Sequence, residues 1–197
     1  MKNQKPKYKI IPMGRSGVGK DFFANLLEEM YGYSQLRSYT TRPRRTPTEN
    51  THVFINDEQA NQLTDRVAET LIDTYQYFAT REQFMDCDIY TLDPKGLYSL
   101  KEHAPEVPVC VIYVEASPEI RLQRAKDRAA DPVKAEEIFK SRTASENEQF
   151  SDFEELIKNE ENFAKEFPNV RIAKVFNNNT ATREDVVAFL EELNSHL

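Results

Sequence analysis

The segment Tyr8-Lys-Ile-Ile-Pro-Met13, followed by Gly14-Arg15-Ser16-Gly17-Val18-Gly19-Lys20-Asp21, decides the reading of this chain. The first six residues are apolar enough for a short strand, although Pro12 near its end is unusual for a ladder. After the glycine-rich turn, Phe22, Phe23, Leu26, Leu27 and Met30 recur at helical spacing, and Gly32 follows as a stop signal. Gly14, Gly19 and Lys20 therefore match the G-x-x-x-x-G-K pattern between a strand and a helix. Glycines let such a loop turn its amides onto phosphate oxygens, and the helix adds its positive end to the same anion. Three of the five glycines in the chain fall within these six positions. The expected ligand is a nucleoside triphosphate, held by Gly14 to Asp21, with Lys20 on its outer phosphates. Asp21 stands where Ser or Thr normally ligates magnesium. Its carboxylate is a hard oxygen donor for Mg²⁺, or else a charge that repels the triphosphate.

Bulk composition narrows the class. The chain has 197 residues, 39% hydrophobic and 30% charged, as expected for one globular domain. No apolar run approaches the roughly 20 residues that span a bilayer, so no membrane is expected. The net charge of −7 argues against nucleic acid as a partner. The basic start around Met1–Lys9 leads into too short an apolar run for a signal peptide, and a cytoplasmic protein is expected. Two cysteines give no disulfide framework or zinc site; Cys110 reads as core and Cys87 as a surface thiol.

Further along, His52–Ile55, Val67–Phe78, Ile89–Leu92, Val107–Val114 and Val170–Phe176 read as strands or a hairpin. Val107–Val114 is the near-continuous apolar run of a strand covered on both faces. Asp57 and Ser117 read as helix caps, Asp131-Pro132 breaks one helix from the next, and Thr180–Leu193 is amphipathic. Strands alternating with helices predict an α/β domain with a mostly parallel sheet flanked by helices. The polar, Arg- and Pro-rich stretch from Arg37 to Asn50 reads as loop. Within it, Ser38-Tyr-Thr-Thr-Arg42-Pro-Arg-Arg45 gathers guanidiniums suited to a phosphate dianion, or alternatively forms a solvated basic loop.

The spacing Ser-x-Thr-Thr-Arg-x-x-Arg, about twenty residues beyond such a phosphate loop, resembles guanylate kinase and its relatives. The resemblance implies a P-loop kinase fold with a core over about 1–36, 87–120 and 156–197. It implies a monophosphate-binding insertion over about 37–86 and a helical lid over about 121–155. It places the acceptor nucleotide on Ser38, Arg42, Arg45, His52, Glu69, Phe78, Thr80 and Asp93, with Glu69 as the guanine-reading carboxylate. His52 and Phe78 replace tyrosines of the family, and Thr91 replaces an aspartate. Arg124, Arg128 and Arg142 resemble the lid arginines that meet the transferring phosphoryl group, with Lys20 and Arg42, and Asn177 resembles the residue beside adenine. The implied activity is ATP- and Mg²⁺-dependent phosphorylation of a nucleoside monophosphate, GMP or dGMP first, and a homodimer is among the assemblies known in relatives. The alternatives are a catalytically inactive binding module of the same fold, or a kinase of another nucleotide or small phosphate ester.

Overall fold

The computed structural model describes residues 5–44, 46–72, 74–129 and 131–197. Its central sheet is parallel, in the order β1 (Lys9–Met13), β6 (Val109–Glu115), β7 (Val170–Asn177). Ile10 pairs with Cys110 and Met13 with Tyr113. β6 is buried along nearly its whole length because each face has its own cover. Ile10, Cys110, Ile112 and Val114 pack with α1 (Lys20–Tyr31) and α8 (Arg183–Asn194). Ile11, Val109, Val111 and Tyr113 pack with α4 (Pro94–His103), α6 (Pro132–Lys158) and α7 (Glu160–Glu166). Alternation along each strand thus supplies both layers, and each fully buried aliphatic side chain stabilises the fold by about 1.5–3 kcal/mol.

Residues 89–92 do not form the expected ladder strand. Ile89 makes only single parallel bridges to Ile10 and Gln35. The Ile10 amide donates to the Asp88 carbonyl and the Tyr90 amide to the Ile10 carbonyl, at 2.8 and 2.9 Å. The next donor on that edge of β1 would be the amide of Pro12, which has no N–H, so the pairing thins out there.

A second, four-stranded sheet has the order β3 (Val53–Phe54), β2 (Tyr39–Thr40), β5 (Tyr75–Thr80), β4 (Arg66–Ile72). The stretch read as loop thus contains β2, which is tertiary in origin: it pairs antiparallel with β5 and parallel with β3. α2 (Asp57–Gln62) is capped by Asn56 rather than Asp57, in a reciprocal capping box with Gln59. α3 (Arg81–Asp86) is capped by Thr80, and α5 (Pro118–Asp127) by Ser117 with Pro118 in its first turn, as expected. α3 and α7 were not anticipated. Cys87 corrects another expectation: it is 4% exposed, its thiol donating to the Phe84 carbonyl at 3.3 Å. Among the described residues no helix is long and apolar enough to cross a membrane.

Candidate functional site

The loop between β1 and α1 holds its amides inward by binding its carbonyls from outside. Gly14, Gly17 and Gly19 have φ of 138, 84 and 103°, a backbone that only glycine adopts without strain. Arg124 Nη1 donates to the carbonyls of Gly17 and Val18 at 3.3 and 3.2 Å, and its Nη2 to the Asn178 carbonyl at 2.7 Å. Asn178 Nδ2 donates to the Val18 carbonyl at 2.7 Å. Lys20 Nζ bridges the carbonyls of Gly14 and Arg15 at 2.8 and 3.1 Å, and burial pushes its ammonium below the ordinary lysine range. Gly19 caps α1 without a side chain, so the first-turn amides of Lys20 and Asp21 are unclaimed by any cap. Bound carbonyls beside uncapped first-turn amides are the parts of which an anion nest is built.

Of the arginines expected at the transferring group, Arg124 is bonded to the loop backbone instead, and desolvation lowers its pKa. Arg128, whose Nε donates to the Arg124 carbonyl, lies with Arg142, Ser16 and Gly17 around a cavity of about 420 Å³ between α5, α6 and the loop. Beside it a second cavity of about 490 Å³ is bordered by Arg15, Val18, Ser117, Asn177 and Asn179. Asn177 is exposed, and its Oδ1 accepts from the Asn179 amide at 3.1 Å. The residue that touches the loop is its neighbour Asn178, which a run of three asparagines could not single out.

The four-stranded sheet sorts the remaining residues by face. On one side Thr40 pairs with Tyr77 and with Phe54, and Ser38 and Arg42, which flank β2, contact His52 and Phe54 respectively. His52 Nδ1 lies 2.9 Å from Ser38 Oγ, and its ring centroid 5.5 Å from that of Tyr77. Ser38 also lies beside the buried Tyr90 phenol, and Tyr77 beside Arg42. Arg42 is held by Glu49 in a two-pronged pair, at 2.8 and 3.2 Å, and lies 5.1 Å from the Phe54 ring centroid. The Glu49 carboxylate, above all, pushes the Arg42 pKa up. Thr70 shares this side through its pairing with Tyr77, and its hydroxyl donates to Asp93 Oδ1 at 3.1 Å. Asp93 caps α4 through the Gly96 amide at 2.7 Å.

Glu69 and Phe78 face the other way. They pair directly with each other, and Phe78 pairs with Tyr39. Phe78 is fully buried under the Arg66 guanidinium, which lies 3.8 Å from its ring centroid. Arg66 binds the Glu69 carboxylate and the α2 carbonyls of Ala60 and Leu63. Thr80 spends its hydroxyl on the Gln83 amide. The structure thus parts Glu69 and Phe78 from Arg42, with which the resemblance groups them: a strand has a side-chain period of two, and β5 pairs with β2 in the register that puts Tyr77 and Thr70 on the side of Thr40. A bulge between Arg66 and Ala68 helps to set that register. Arg45 lies outside the described residues.

Asp21 is exposed in the first turn of α1, and Asp21, Glu146 and Asp93 all exert an appreciable field on Lys20. Hard carboxylate oxygens beside the nest suit Mg²⁺ shared with phosphates, and no cluster of three or more His, Cys, Asp or Glu side chains able to hold a metal without them occurs among the described residues.

A glycine-rich nest between a parallel strand and a helix, with sheet and lid inserted around it, defines an α/β fold of the P-loop kinase type. Within that class the chain has the guanylate kinase-like fold. The crystal structure of guanylate kinase from Anaplasma phagocytophilum matches it with a TM-score of 0.56 and 16% identity, over 98% of this chain and 88% of that one. No protein-family model matches the sequence, and no curated protein matches it.

Proposed function

We propose that this chain is an ATP-dependent nucleoside monophosphate kinase, with GMP or dGMP as the acceptor. The observation that carries the reading is Asp93. It is hydrogen-bonded to the acceptor-side sheet through Thr70, and its charge acts on Lys20 of the phosphate loop. One carboxylate thus ties a donor nest to a cluster of Ser38, Arg42, His52 and Tyr77 suited to a second phosphorylated ligand.

In this reading the loop amides and Lys20 bind the donor's phosphates, and Arg128 and Arg142 reach the transferring group from the lid. Arg42 fixes the acceptor phosphate, while Tyr77 supplies the hydroxyl that Phe78 lacks. His52 adds a donor, and Ser38, Thr70 and Asp93 meet the base. Arg124 acts through the loop, keeping its amides turned inward. Mg²⁺, held by Asp21 and the phosphates, would supply charge neutralisation. Little covalent chemistry falls to the protein; alignment and fixed positive charge supply the acceleration. The cytoplasm is the compartment that suits such a substrate.

A coupled ADP-release assay over a panel of nucleoside and deoxynucleoside monophosphates tests the proposal. Turnover is expected to be fastest with GMP or dGMP. Silence across the whole panel, in a protein that still binds ATP, would leave the binding module of the same fold as the correct reading.

A further inference from the structure

The lid helix closes on the phosphate loop through carboxylates. Glu146 Oε1 accepts from the Ser16 backbone amide at 2.8 Å, and Glu146 Oε2 from Arg121 Nη1 at 3.1 Å. The same Arg121 nitrogen reaches the Ser16 carbonyl at 3.3 Å. Arg121 is 2% exposed, and Glu146 is its carboxylate partner. The next residue of α6, Asn147, and Glu154 about two turns further on hold the Arg15 side chain, the latter in a two-pronged pair at 2.7 and 3.0 Å, and Tyr113 donates to Glu154 at 2.7 Å. Two oxygens shared between a loop amide and a buried guanidinium are the contacts that a phosphate group makes at such a nest. Glu146 also lies close enough to Lys20 to be among the charges that support its ammonium.

An arriving polyphosphate meets this carboxylate as a like charge. Across several ångströms at a partly desolvated site, that repulsion is worth about a factor of ten in affinity. Binding then exchanges one anion for another at the same donors. We propose that Glu146 is a positioning residue of the donor site: its carboxylate takes the place of a phosphate oxygen at the Ser16 amide and Arg121, and it yields both to the donor's outer phosphate. The proposal rests on the reading of the loop as a polyphosphate site. It makes the Glu146 contacts to the loop and the affinity of the donor opposing quantities, so these contacts are given up as the donor arrives.

The test is calorimetric titration of inorganic tripolyphosphate onto the whole chain. Glu146→Gln preserves the shape and an acceptor for Ser16 but removes the charge; it is expected to bind about five- to tenfold tighter than the parent, with the KM for ATP falling by a similar factor and kcat unchanged or lower. Glu148→Gln removes an equal charge from an exposed site on the same helix and is expected to stay within about twofold of the parent. Loosening of a merely structural contact would weaken binding, so equal or weaker affinity in Glu146→Gln overturns the proposal, as does an equal gain in Glu148→Gln. Should Glu146→Gln not fold because Arg121 is left buried, Glu146→Asp keeps the charge while drawing it back from Ser16, and an affinity no higher than the parent's refutes the idea. Lys20→Ala separates the two levels. If it binds tripolyphosphate as the parent does, the loop is not the site and both readings fall together; if binding is lost, the comparison at Glu146 stands by itself.

Discussion

Replacing Gly14 by alanine strikes the joint between the phosphate loop and the central strand. Its φ of +138° lies where a residue with a Cβ is strained, at a cost of about 1–3 kcal/mol. The added methyl would sit 2.3 Å from the Val114 carbonyl oxygen and 2.9 Å from Val18 Cγ2. The first of these is backbone of β6, buried and paired on both sides, so it can give way only by moving the sheet. Overpacking of this kind adds about 1–3 kcal/mol. The sum predicts a loss of about 2–6 kcal/mol. Gly19→Ala is the control: its backbone is strained as well, at φ +103°, but its methyl meets only the Asn178 amide nitrogen at 2.8 Å, the movable end of a side chain. That substitution is expected to cost about 1–2 kcal/mol. Equilibrium urea unfolding followed by far-ultraviolet circular dichroism measures both, and the melting temperature of Gly14→Ala should fall on the order of 10 °C. A Gly14→Ala protein less perturbed than Gly19→Ala would refute the reasoning, because the clash with Val114 would then not exist.

Other outcomes follow from the same geometry. Glu69→Gln should leave the acceptor KM unchanged, whereas Tyr77→Phe should raise it several-fold with a smaller effect on kcat, since a lost charge-assisted hydrogen bond is worth about 1–2 kcal/mol; initial-rate kinetics with the preferred monophosphate decides between them. Burial pushes both thiols, Cys87 and Cys110, up to about 12. Neither should react with a thiol reagent at pH 8 until the protein unfolds, and rapid native labelling would contradict their burial. For Glu154, burial raises the pKa, but hydrogen bonds from Arg15 and Tyr113 outweigh it and the net shift is downward. The ionised carboxylate is thus favoured by the fold: its contribution is full above the unfolded value of about 4.3 and is lost as the pH falls through the lower folded value. Glu154→Gln should therefore flatten the acid side of the stability profile measured by denaturant unfolding between pH 3 and 7.

The donor loop was legible because everything that shapes it is local. Strand, glycines, lysine and helix follow one another within a few turns of chain, and the positive φ angles demand glycine whatever the rest of the fold does. The cap Ser117 could be read for the same reason, since it bonds an amide three positions on.

What only the tertiary structure decided is which residues face one another. Glu69 and Thr70 are neighbours in sequence and lie on opposite sides of the sheet. The choice between them depends on the register of β5 against β2 and on the bulge in β4, and a shift of one residue would exchange Tyr77 for Phe78 at Arg42. The partners of the loop came from still further away: Arg121 and Glu146 reach Ser16 across 105 and 130 positions of chain. No local periodicity encodes such contacts, because they are fixed by the packing of α5 and α6 against the core. The sequence by itself therefore determined the glycine-rich turn between strand and helix and the lysine that follows it. The fold determined which carboxylate and which arginines stand over that turn.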